Sequence, residues 1–168
     1  MYKLEKKAKD FPVKIGVSAP DFSLPTEKGV EWRLSHHLGN VKVLLFYPKN
    51  ETLVCTKQLC SVRDYWEDYL KTKAVVVGIS PGTSEEHLQF SSNHNLPLPL
   101  LADRNREVTK IYGQHRLFPI NFTRAVIVID AKGIVRAQKI MLRAFRPTDG
   151  EVLSAIRSAR ADAMIHWA

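Results

Sequence analysis

The chain has 168 residues, of which 45% are hydrophobic and 25% are charged, and its formal net charge is +8. This composition is typical of a soluble globular protein, and the length predicts one domain, residues 1–168, that buries most of its apolar surface. The basic residues are scattered and lack the interleaved aromatic side chains on which bases stack, so we expect no nucleic-acid partner. No run approaches the roughly 18 apolar residues of a membrane span, and no secretory signal is visible, so we expect a cytoplasmic protein without membrane contact.

The cysteine content argues against two further classes of protein, those built on a disulfide framework and those with a zinc site. The chain has two cysteines, too few for a disulfide framework. No cluster of Cys and His residues has the spacing of a zinc site, so no metal is expected. A chain with so few cysteines suits a reducing compartment, where a disulfide would be transient and catalytic.

Strands and helices are predicted to alternate along the chain. Thr83 and Glu86 have the spacing of a capping box, which predicts a helix start, and His87 and His94 are expected to be exposed on that helix. In chain order, the predicted elements are short strands within 15–24 and 30–34, a strand at 41–47, a helix at 56–71, a strand at 74–80, a helix at 83–94, a strand at 98–103, a helix at 107–112, a loop at 114–123, strands at 124–130 and 134–141, and a closing helix from about 148. This order predicts an α/β fold with a central mixed β-sheet flanked by helices.

The segment that follows the strongly apolar strand at 41–47 carries both cysteines. Cys55 falls about where the next helix begins, and Cys60 lies five residues further on. At a helix N-terminus, the unpaired backbone N–H groups and the positive end of the helix dipole favour a thiolate over a thiol. Because the thiolate is the form that attacks, this position predicts that Cys55 is reactive.

The spacing of the two cysteines constrains how they can react. In an intact helix, Cα atoms five residues apart are separated by about 8.6 Å, whereas a disulfide needs roughly 4.4 to 6.8 Å. Cys55 and Cys60 can therefore join only if the first turns of the helix unwind, which predicts a reduced wound state and an oxidised unwound state. An alternative stays open here, because buried cysteines in helices are also common as small apolar core residues.

The order of elements, with a reactive cysteine after the first central strand, is that of a thioredoxin-like fold. A set of segments carries a closer likeness: GVSAPDFSL (16–24), FYPK (46–49), TLVCTKQLC (52–60), RD (63–64), GIS (78–80), PLLAD (99–103) and RAVIVID (124–130). Through these segments the chain resembles the peroxiredoxins over about residues 12–157. Its cysteine spacing is similar to that of the bacterioferritin comigratory protein branch, also called the peroxiredoxin Q type.

This resemblance implies a thiol-dependent peroxidase that reduces hydrogen peroxide and organic hydroperoxides without metal, flavin or haem. Cys55 would be the peroxidatic cysteine, whose thiolate becomes a sulfenic acid, and Cys60 the resolving cysteine, which condenses with it. Thr52 would place a hydroxyl beside the sulfur, and Pro48 would limit the access of water. Arg124 would hold the sulfur ionised. An external dithiol protein such as thioredoxin would reduce the disulfide, and a monomer or weak homodimer is expected.

Other interpretations of these residues stay open. Thr52 also fits a helix N-cap, Pro48 an ordinary turn, and Arg124 a surface arginine. Two other functions are also compatible with a thioredoxin fold. One is a thiol–disulfide oxidoreductase, although such enzymes use Cys-x-x-Cys, which is absent here. The other is a redox sensor without peroxidase activity.

The sequence departs from the family pattern at two positions. Leu53 stands where the family usually has a proline, which would pre-set the first helical turn. Gln58 stands where many relatives have glutamate, so one negative charge is missing three residues from the peroxidatic cysteine. By charge alone, the second change favours the thiolate.

Overall fold

The computed structural model describes residues 13–112, 123–142 and 146–161. Its strands are β1 (Ser23–Pro25), β2 (Glu31–Arg33), β3 (Lys42–Phe46), β4 (Val75–Ser80), β5 (Leu100–Ala102), β6 (Thr123–Ile129) and β7 (Val135–Leu142). Its α-helices are α1 (Leu53–Asp64), α2 (Trp66–Lys71), α3 (Ser84–His94), α4 (Glu107–Ile111) and α5 (Asp149–Arg160), and a short 3-10 helix covers Leu34–His37. The predicted loop at 114–123 lies outside the described residues except for Thr123, where β6 begins.

The strands form two sheets. β1 and β2 pair as an antiparallel hairpin, and the other strands form a five-stranded sheet in the order β5-β4-β3-β6-β7. In the larger sheet β3, β4 and β5 are parallel, whereas β6 runs antiparallel to both β3 and β7. The predicted mixed sheet is therefore confirmed.

The central strand β3 is buried on both faces. Val43 and Leu45 belong to a core that also contains residues of α1, α3 and α5. Leu44 and Phe46 belong to a second core on the other face, which includes residues of the β1–β2 hairpin and α4. Two-sided burial explains why this strand is a continuous apolar run rather than an alternating one.

The register between β3 and β6 determines where two of the predicted site residues meet. Ala125 pairs with Phe46, the last residue of β3. Arg124, one residue before Ala125, therefore lies just beyond the carboxyl end of β3. The chain leaves β3 at this point and enters α1, so the pairing brings Arg124 to the segment that contains Cys55.

The helix predicted at 56–71 is two helices. The first, α1, begins three residues earlier than predicted, with Thr52 as its N-cap, and Tyr65 (φ −99°, ψ 16°) separates it from α2. The break at Tyr65 leaves Tyr69 buried, with its hydroxyl donating to Asp149 at 2.7 Å, whereas Leu70 stays 58% exposed. The prediction of one continuous helix over 56–71 is therefore wrong.

Capping boxes begin both α3 and α5, and the sequence predicted the one at Thr83. The Thr83 hydroxyl accepts from the Glu86 N–H at 3.2 Å, and the Glu86 carboxylate accepts from the Thr83 N–H at 2.8 Å. Thr148 and Glu151 form the same reciprocal pair at the start of α5. Within the described residues, no helix is both long and apolar enough to cross a membrane.

Candidate active site

Cys55 lies in the first turn of α1. The first hydrogen bond of this helix runs from the Thr56 N–H to the Thr52 carbonyl at 2.9 Å, so the N–H groups of Val54 and Cys55 have no partner within the helix. Thr52 is the N-cap residue, but its hydroxyl donates to the Lys49 carbonyl at 3.2 Å instead of capping the helix. The N–H groups of the first turn therefore point out of the N-terminal end of α1, the end at which Cys55 lies. The N-cap side chain makes no hydrogen bond to them.

The guanidinium of Arg124 lies against the Cys55 sulfur. Nη2 of Arg124 donates to Sγ of Cys55 at 3.1 Å, and neither side chain has exposed surface. Nη1 of Arg124 donates to Oε1 of Gln58, another buried side chain. The guanidinium is therefore a permanent positive charge beside a desolvated sulfur, and the neutral amide at position 58 adds no negative charge to this pair.

Tyr47 and Pro48 form the turn that leads out of β3. Tyr47 is buried, and burial together with the nearby Cys55 sulfur raises the pKa of its phenol well above the usual value. The hydroxyl therefore keeps its proton, which it donates to Oδ1 of Asn50 at 2.8 Å. Pro48 is half-buried in the same turn. The sequence interpretation assigned no site role to Tyr47 or Asn50.

Cys60 is half-buried, and it lies in the same continuous helix as Cys55. Both thiols are free. Because the intact helix keeps Cα atoms at this spacing about 8.6 Å apart, the two sulfurs cannot bond while α1 is wound. Over the described ranges, no group of three or more His, Cys, Asp or Glu side chains is arranged to hold a metal ion.

His87 is fully buried, so the expectation that it is exposed is wrong. Its Nδ1 lies 2.8 Å from Nδ2 of Asn50, and its Nε2 lies 3.1 Å from the carbonyl oxygens of Ser80 and Leu101. An amide donor on one side and two carbonyls on the other assign the neutral form with its proton on Nε2. Burial lowers the pKa of His87, which agrees with this form. The sequence held one signal for the burial of His87, because this residue lies three positions before Phe90, which is also buried.

His94 also contacts the turn before α1, and its side chain is only partly exposed, contrary to the expectation of an exposed residue. Its Nε2 lies 3.0 Å from Oε1 and 3.2 Å from Oε2 of Glu51, and its side chain is 24% exposed. Glu51 has a left-handed backbone with φ at 61°. Both histidines of α3 thus contact the short turn that leads into the candidate active site.

Residues 15–138 match the model of the AhpC/TSA family. The chain belongs to this family. Peroxiredoxin Bcp of Bacillus subtilis is 34% identical over 127 residues, which cover 72% of this chain and 81% of that protein. Chloroplastic peroxiredoxin Q of Triticum aestivum is 38% identical over 146 residues, which cover 85% of this chain and 66% of that protein.

A solved structure gives the same assignment for this peroxiredoxin. The crystal structure of peroxidoxin BcpB from Mycobacterium tuberculosis has a TM-score of 0.75 and 30% sequence identity, and the match covers 89% of this chain and 97% of that one. The predicted family and the predicted thioredoxin-like α/β fold are therefore confirmed. As a peroxiredoxin, the chain is a thiol-dependent peroxidase.

Proposed function

We propose that this peroxiredoxin reduces hydrogen peroxide and organic hydroperoxides with Cys55 as the attacking group. The observation that carries the proposal is the 3.1 Å contact between the buried Arg124 guanidinium and the Cys55 sulfur, in the first turn of a helix. The helix N-terminus and the guanidinium are two separate sources of positive potential at one sulfur. Together they favour the thiolate that the reaction requires.

In the first step, the Cys55 thiolate attacks the terminal oxygen of the hydroperoxide. A sulfur–oxygen bond forms and the O–O bond breaks, so the sulfur is oxidised to a sulfenic acid. The leaving oxygen takes a proton and departs as water or an alcohol. Arg124 stabilises the charge that develops on the oxygens, and the unpaired N–H groups of Val54 and Cys55 can donate to the peroxide.

Thr52 and Pro48 have supporting roles in this proposal. Thr52 precedes the helix, and its hydroxyl can exchange its bond to the Lys49 carbonyl for one to a bound peroxide. Pro48, half-buried between β3 and α1, would restrict the access of water to the sulfur. The exclusion of water strengthens every electrostatic contact that the peroxide makes at this site.

In the second step, α1 unwinds and the Cys60 thiolate attacks the Cys55 sulfenic sulfur. The disulfide forms as the S–O bond breaks, and the hydroxide leaves as water after taking a proton. A dithiol protein of the thioredoxin type then reduces the disulfide by thiol–disulfide exchange. Because one chain supplies both sulfurs, turnover needs neither a cofactor nor a second copy, which supports a monomer or weak homodimer. A dithiol reductant also supports a location in the reducing cytoplasm.

Peroxide consumption by the purified chain with thioredoxin, thioredoxin reductase and NADPH tests this proposal. The parent chain should turn over continuously, Cys55→Ser should be inactive, and Cys60→Ser should consume one equivalent and then stall. Full turnover of Cys60→Ser with thioredoxin alone would show that Cys60 is not the resolving residue. An inactive parent chain that instead reduces insulin disulfides would favour a thiol–disulfide oxidoreductase.

A further inference from the structure

Residues 51–63, here called the redox segment, carry both cysteines, and both ends of the segment contact one residue, His94. At one end, Nε2 of His94 lies 3.0 Å from Oε1 of Glu51. At the other end, Nη1 of Arg63 donates to the main-chain carbonyl of His94 at 2.7 Å. The last residue of α3 therefore joins the two ends of the segment that must rearrange during turnover.

The backbone at Glu51 indicates that the first of these contacts matters for the position of the turn. Glu51 has a φ of 61°, a left-handed conformation that is unfavourable for a residue with a Cβ. Such a conformation persists where the surroundings hold it, and it is often found where a segment switches between states. Nδ2 of Asn93 lies 3.5 Å from Oε1 of Glu51, so a second side chain of α3 contacts the same carboxylate.

Neighbouring contacts restrain the redox segment further. Asn50, immediately before the segment, is hydrogen-bonded to the buried His87 at 2.8 Å. Near the other end, the Ser61 hydroxyl donates to the Asp149 carboxylate at the start of α5. Glu51 is the exposed member of this set, with 52% of its side chain accessible, so its contact with His94 can open without disturbing either core.

We propose that His94 is a positioning residue that holds the redox segment closed and thereby sets the rate at which Cys60 reaches the oxidised Cys55. This inference rests on the proposed function. Opening of the contact between Glu51 and His94 frees the strained turn, and the first turns of α1 can then unwind. Local opening of this kind has its own free energy, to which each broken contact contributes.

The rate of unwinding decides between two reactions of the sulfenic acid. In one, the Cys60 thiolate attacks the sulfur, the disulfide forms and water leaves. In the other, the Cys55 sulfenate attacks a second hydroperoxide, takes its terminal oxygen and becomes a sulfinic acid, while the rest of the peroxide leaves as water or alcohol. A tightly held segment favours the second reaction, and a loosened segment favours the first.

The test compares Glu51→Gln and His94→Gln with Glu85→Gln, which removes the same charge from the exposed first turn of α3. One equivalent of hydrogen peroxide is added, the thiols are blocked at successive times, and mass spectrometry measures sulfenic acid and disulfide. In Glu51→Gln and His94→Gln, disulfide formation should be faster by about twofold to fivefold, the effect of weakening an exposed polar contact. The double variant should match either single variant, because all three change the same contact between Glu51 and His94. Sulfenic acid formation should keep the parent rate, and excess peroxide should give less sulfinic acid.

The outcomes separate this inference from the proposed function. If the parent chain forms no sulfenic acid at Cys55, the proposed function fails and the inference fails with it. If sulfenic acid forms normally but Glu51→Gln and His94→Gln form the disulfide at the rate of Glu85→Gln, the inference alone fails. Slower disulfide formation in the two variants would also overturn it, because the contact would then assist unwinding.

Discussion

The Arg124 guanidinium donates to the Cys55 sulfur at 3.1 Å, although 69 residues separate them along the chain. The antiparallel register of β3 and β6 produces this contact, because it places the start of β6 at the point where the chain leaves β3 for α1. Both side chains are fully buried. Charges interact more strongly in the protein interior than in water, so the positive charge of Arg124 acts strongly on the Cys55 sulfur.

Replacement of Arg124 should slow the first oxidation of Cys55. Arg124→Gln removes the cation, and we expect the rate constant for sulfenic acid formation to fall about 10²- to 10³-fold. Arg124→Lys should recover part of the rate, since an ammonium keeps the charge but lacks the planar fork that reaches both Cys55 and Gln58. Stopped-flow measurement with excess hydrogen peroxide gives these rates.

A matched control for this series is Arg33→Lys. Arg33 forms an exposed ion pair with Asp21 at 3.1 Å in another part of the fold. Exposed pairs of this kind contribute little, so the oxidation rate should be that of the parent. A parental rate in Arg124→Gln would instead show that the guanidinium does not assist the attack.

Gln58 should make the sulfur more reactive than a glutamate at the same position would. In Gln58→Glu, the carboxylate would pair with Arg124 and place a negative charge beside the sulfur. We therefore expect slower alkylation of Cys55 by iodoacetamide, by about threefold to tenfold. Gln58→Met is the control, because it removes the hydrogen-bond acceptor without adding charge. An equal loss of alkylation rate in both variants would mean that packing, not charge, is responsible.

The fold was predictable because its strongest signals are local. β3 and β4 are apolar runs buried on both faces, and the capping box at Thr83 marks the start of α3. The break at Tyr65 was not predictable, because apolar residues continue through it and neither glycine nor proline marks it. Only tertiary packing shows that Tyr69, and not Leu70, is the buried residue of α2.

The candidate site was less accessible to sequence reasoning. The position of Cys55 at a helix start follows from local pattern, but its contact with Arg124 depends on strand pairing across 69 residues. The family resemblance supplied Arg124 where physical reasoning from the sequence could not. His87 was expected to be an exposed residue of its helix. The structure instead gives both of its ring nitrogens polar partners inside the protein.

His87 should make the stability of the protein depend on pH. Burial lowers the pKa of its imidazole in the folded chain, whereas a histidine in the unfolded chain takes up its proton near 6.5. Below about pH 6.5 the unfolded state therefore binds the proton first, and the free energy of unfolding falls as the pH falls. The slope from this one group can reach about 1.4 kcal/mol per pH unit, and it vanishes well above pH 6.5.

Urea unfolding of the parent chain and of His87→Gln, from about pH 8 to pH 5, measures this contribution. At about pH 8 the variant should be less stable by roughly 1 to 3 kcal/mol, because buried partners of the imidazole lose their hydrogen bonds. Towards pH 5 the difference in free energy of unfolding between parent and variant should become smaller, since only the parent carries a buried imidazole that resists protonation. Other titrating groups occur in both proteins and cancel in the difference. A difference in stability that stays constant over the whole range would mean that His87 takes up its proton equally in the folded and unfolded chains, so that burial does not lower its pKa.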